Sequence, residues 1–102
     1  MNNLTANEKY AIVNILSQIM KADGIIHPKE EEFMDKVYSE LGITIADLEN
    51  VVNVDEAQAK TIVNGMSVER RAFARSLFNG MAESDGYVHP QEKRLIEQIF
   101  SP

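Results

Sequence analysis

The sequence predicts an all-α fold, a compact bundle of about six helices built from two pseudo-symmetric helix-loop-helix repeats. Three observations carry this expectation. Apolar residues recur at three-four spacing along nearly the whole chain, good cap residues punctuate the pattern, and one loop is written twice. Asp23-Gly24-Ile25-Ile26-His27-Pro28-Lys29-Glu30 returns 62 residues later as Asp85-Gly86-Tyr87-Val88-His89-Pro90-Gln91-Glu92, with five of the eight positions identical. The flanks agree as well: Phe33, Met34, Val37 and Tyr38 correspond to Leu95, Ile96, Ile99 and Phe100, and Ile15, Leu16 and Ile19 to Leu77, Phe78 and Met81. A repeat of this length gives two units that can bury apolar faces against each other.

The elements follow in order. Thr5 with Glu8 forms a capping-box pattern at the start of a first helix, expected over residues 6–22, with Ile12, Val13, Leu16, Ile19 and Met20 on one face. A second helix opens at Pro28, carries Phe33, Met34, Val37, Tyr38 and Leu41, and stops before Gly42. Thr44 and Asp55 are N-cap residues for two shorter helices, the first bearing Ile45, Leu48, Val51 and Val52, the second Ala57, Ile62, Val63 and Met66, with Gly65 at its end. Ser67 caps a long helix with Phe73, Leu77, Phe78 and Met81, and Pro90 opens the last one, with Leu95, Ile96, Ile99 and Phe100. Nothing reads as a strand. The repeat units span about 6–41 and 67–100, and residues 42–66 have no counterpart and are expected to bridge them in a single domain over 1–102.

Composition narrows the function classes. The chain of 102 residues is near the common size for one domain, large enough to bury a core without staples. It has no cysteine, which excludes disulfides, thiolate metal sites and cysteine nucleophiles. The N-terminus shows no basic segment leading into a long apolar run, so neither a signal peptide nor a membrane span is expected, and a cytoplasmic location follows by default. Sixteen acids against ten bases give a net charge of -6. Nine acids and four lysines fall in residues 1–51, and all four arginines, Arg70, Arg71, Arg75 and Arg94, lie beyond them. An acidic whole repels phosphate backbones, so nucleic acid is not an expected partner. Arg71 and Arg75 stand one helical turn apart, a spacing for pairing with nearby acids or for docking a protein.

Most of the repeated loop has a local structural role. Gly24 and Gly86 suit a left-handed helix ending, Pro28 and Pro90 suit the first helical position, and His27 and His89 then fall at or beside the N-cap. Glu30 and Glu92 fall at the third helical position, where a carboxylate meets free amides and the positive end of the helix dipole. Asp23 and Asp85 fit less well, because an aspartate at a helix C-terminus faces unpaired carbonyls. An Asx turn would offset that cost, and so would a bound cation held by the aspartate, the glutamate and terminal carbonyls.

Three analogies fail on particular residues. The Asp-Gly-x-Ile-x-x-x-Glu run matches the latter half of an EF-hand calcium loop, but its first and third positions would be Ile19 and Lys21, then Met81 and Glu83. The His-Pro pair of a J domain needs a following Asp, and here Lys29 and Gln91 follow. A zinc site on His27 and His89 would need carboxylates to complete a tetrahedral set.

The run Lys21-Ala22-Asp23-Gly24-Ile25-Ile26-His27-Pro28-Lys29-Glu30, closing one amphipathic helix and opening another, resembles the TerB family of bacterial tellurite-resistance and stress-response proteins. The second copy strengthens the resemblance, which spans essentially the whole chain, although the chain is shorter than a full-length TerB protein. The resemblance implies a helical domain acting as a sensor or scaffold, with an acidic, metal-binding surface. Its acidic positions fall on Asp23, Glu30, Asp85 and Glu92, with His27 and His89 as second-rank donors. The expected ligand is a divalent cation, calcium or magnesium ahead of zinc, and the expected partner is a protein, with neither nucleic acid nor membrane; the sequence assigns no oligomeric state. The alternative is a plain helical interaction domain whose loops are purely structural. An enzyme is not expected, because no nucleophile, oxyanion site or phosphate-binding loop accompanies the histidines.

Overall fold

The computed structural model describes residues 4–22, 24 and 27–100. Six helices occupy them: α1 (Ala6–Lys21), α2 (Pro28–Leu41), α3 (Ile45–Asn53), α4 (Glu56–Asn64), α5 (Val68–Glu83) and α6 (Pro90–Ile99). No strand forms among the described residues. Each start has the local cause read from the sequence. Thr5, Thr44 and Asp55 make reciprocal capping boxes with Glu8, Asp47 and Gln58, Ser67 accepts from the amide of Arg70, and proline opens α2 and α6.

Packing centres on α1, which touches each of the other five helices. A helix surrounded in this way must be apolar over more than one stripe. Ala11, Ile12, Val13, Ile15, Leu16 and Ile19 are accordingly all buried. The polar side chains left on α1 serve as ties. Asn14 donates to the carbonyls of Val51 at 3.1 Å and Val54 at 2.7 Å, satisfying the open end of α3, and the Tyr10 hydroxyl donates to Asp47 at 3.1 Å. On the other side α2 lies against α5, where Gly80 allows a close approach: a Cβ there would stand 2.7 Å from the ring of Phe33.

The corresponding positions of the two repeats are buried alike. Ile15, Leu16 and Ile19 and their counterparts Leu77, Phe78 and Met81 all lie in the core, as do Met34, Val37, Ile96 and Ile99, while Phe33, Tyr38, Leu95 and Phe100 pack half-buried against it. The bridging helices depart from the simplest reading of their apolar pattern. Val51 of α3 is buried, but Ile45 is 87% exposed and Val52 80%.

Candidate metal centre at the repeated loops

The two loops have the same local construction where both are described. Lys21 accepts from the amide of Gly24 at 3.0 Å and Glu83 from that of Gly86 at 2.9 Å, and both glycines take positive φ, 79° and 83°. That left-handed step turns the chain out of the helix without a Cβ penalty. His27 and His89 then occupy the N-caps of α2 and α6 in extended conformation. The two imidazoles consequently arrive at the same place from opposite ends of the chain. Their rings stack at 5.0 Å between centroids with 14° between planes, and Tyr87 lies edge-on to His89 at 4.7 Å.

Asp85 joins them. Its Oδ1 accepts from the amide of Tyr87 at 3.1 Å, which is the Asx turn, while Oδ2 lies 3.6 Å from His27 Nδ1 and 3.4 Å from His89 Nε2. The cost of an aspartate beyond a helix C-terminus is thus offset on both oxygens. The Tyr87 amide bond holds the Asp85 carboxyl below its ordinary range, against the opposing effect of burial and helped by the His89 hydrogen bond and the two imidazole charges. Asp85 is therefore ionised at neutral pH.

Among the described residues, His27, Asp85 and His89 each offer one ligand atom, and these atoms all lie within 4.8 Å of one another. Ligands of a tetrahedral ion at bonds of 2.0–2.2 Å stand roughly 3.4 Å apart, close to the two imidazole–carboxylate separations found here. The donor chemistry is two nitrogens and one oxygen, suited to the zinc class more than to calcium or magnesium.

The acidic residues named from the sequence take different places. Asp23 lies outside the described residues. Glu30 and Glu92, at the third position of α2 and α6, are 1% and 0% exposed and stand outside the group of three. Glu30 Oε1 accepts from the His27 amide at 3.3 Å, so this carboxylate fixes the backbone that presents the imidazole. Its Oε2 is buried and has no hydrogen-bond partner among the described residues. Sequence reasoning ranked the glutamates above the histidines because oxygen donors dominate an acidic loop. The sequence signal for the group of three is the i, i+4 spacing of Asp85 and His89 together with the repeat that equates His89 with His27.

The fold and the loops define an all-helical domain that carries a histidine–carboxylate cluster between two helix-opening turns. The family model described as tellurite resistance protein TerB matches residues 1–53, just over half of the 102-residue chain, and the chain belongs to this family. No curated protein and no solved structure matches the chain. The matched segment contains His27 but ends before Asp85 and His89, so the fold, not the match, brings the three side chains together.

Proposed function

We propose that this TerB-family chain is a non-enzymatic binding domain that takes up a divalent cation of the zinc class through His27, Asp85 and His89. The convergence of three donor atoms within 4.8 Å, two of them from one loop and one from the other, carries this reading. Bound metal would cross-link the α1–α2 loop to the α5–α6 loop and so report its presence as a change in the rigidity of that end of the bundle. Glu30 supports the group by holding the His27 amide, as outer groups commonly do around metal ligands. Three protein donors leave a coordination position for water or for a carboxylate from a partner. A role in stress or tellurite resistance rests on the family alone. Among the described residues no helix is long and apolar enough to cross a membrane.

The second reading keeps the loops purely structural. It is favoured by the Asx turn of Asp85, which needs no ion. Thermal melts with zinc, nickel, calcium and magnesium separate the two. Zinc at a hundredfold excess over its dissociation constant should stabilise the chain by about 2.7 kcal/mol, with calcium and magnesium inert. His27→Gln with His89→Gln should abolish the zinc shift. The zinc shift should also weaken in acid, because protons compete with the metal for the same donor atoms. Identical melting with and without every ion leaves the structural reading standing.

A further inference from the structure

We propose that the outward face of α3 is a docking surface for a basic amphipathic helix of a partner protein. Ile45, Leu48 and Val52 stand at i, i+3 and i+7 along two turns of α3, and with Glu49 and Asn53 they line an open groove of about 550 Å³. Single apolar residues on a surface need no explanation, but three at helical spacing on one face form a stripe. The side of α3 that meets α1 is already engaged. Val51 is buried, Asp47 is held by Tyr10 and Thr44, and the terminal carbonyls are taken by Asn14. The stripe is what α3 leaves over after its own contacts are made.

Charge selects the occupant. Residues 37–59 contain five acids, Glu40, Asp47, Glu49, Asp55 and Glu56, and no base. Glu49 lines the groove itself, and Val52 continues it into a second groove lined by Asp55 and Glu56, with Lys21 the one base on its rim among the described residues. Two copies of this chain docked through α3 would bring these acids together on molecules of net charge -6, which opposes self-association. A helix with apolar anchors at i, i+3 or i+4, and i+7 fits a stripe of the same period, and lysine or arginine on its flanks meets the acids. The face would therefore show affinity from apolar burial and salt-sensitive attraction from the rim.

The test uses the whole chain, labelled with ¹⁵N, and a synthetic leucine–lysine helix of about 14 residues with its leucines on one face. Amide shifts should centre on residues 45–53, and Ile45→Ser with Val52→Ser should weaken binding about tenfold or more, because truncating anchors costs upward of about 1.4 kcal/mol. Both positions are exposed, so the variant keeps its fold. A scrambled peptide of the same composition, which keeps the charge and loses the apolar face, should bind as weakly as the variant does. The proposal is overturned if the scrambled peptide binds equally well, if shifts centre on another helix, or if the double variant binds unchanged. A wild-type dimer in sedimentation that the double variant dissolves would also overturn it, by making a second copy the occupant.

Discussion

Helices α1 and α3 are written in the same code and end in opposite environments. Both start at a threonine capping box, both carry apolar residues at three-four spacing, and they touch each other. Yet Ile12, Ile15, Leu16 and Ile19 of α1 are fully buried, whereas α3 buries Val51 and leaves Ile45 and Val52 in solvent. Periodicity therefore establishes that a helix has an apolar face without saying what covers it. The neighbours decide: α1 lies at the centre of five helices, and α3 is held against α1 with its other side open.

The sharpest break of this comparison is Leu16→Ala. A leucine at 0% exposure in the helix that holds the core together should cost about 3 kcal/mol in denaturant unfolding, the usual size for a buried cavity with partial relaxation. A loss below about 1 kcal/mol would mean that α1 is not the centre of the packing.

An intermediate effect is expected at the junction of the two helices. The Asp47 carboxyl is held below its ordinary range, first by the Thr44 amide, then by the Thr44 hydroxyl and Tyr10, with burial opposing. A carboxyl whose folded value is depressed adds stability above the unfolded value, about 3.9, and that stability is lost as pH falls through the folded one. Asp85 has the same sign. Melting temperature should accordingly drop below about pH 4, and Asp47→Asn should lower the neutral-pH value while flattening the acid slope. An unchanged slope would place the acid sensitivity elsewhere.

The smallest effect belongs to the open face. Ile45→Ser and Val52→Ser should each alter unfolding free energy by no more than about 0.5 kcal/mol, as surface substitutions do. A larger loss would show that the α3 stripe is covered in solution.

Much of the architecture was legible from residues alone. Thr5, Thr44, Asp55, Ser67, Pro28 and Pro90 mark all six helix starts, since capping is a bond between neighbours in sequence. The site was legible in part. The repeat singled out the loops that carry the candidate group, and electrostatics picked Asp23 and Asp85 as residues that a helix end does not favour, of which Asp85 belongs to the group and Asp23 lies outside the described residues. The inward burial of Glu30 and Glu92 was not legible, because a carboxylate at the third helical position looks the same in sequence whether it faces water or the core. Nor was the stacking of two imidazoles separated by 62 residues.

The division follows the range of the forces. Hydrogen bonds of caps and turns act over three or four residues, so Gly24, Gly86 and the helix-opening prolines are set by their immediate neighbours. Which side chains meet across the bundle depends on how the helices pack, and that arrangement brings His27 to Asp85 and His89 and leaves Ile45 and Val52 uncovered. Local chemistry thus set the glycine turns and the helix-opening prolines, and only tertiary packing brought His27, Asp85 and His89 together.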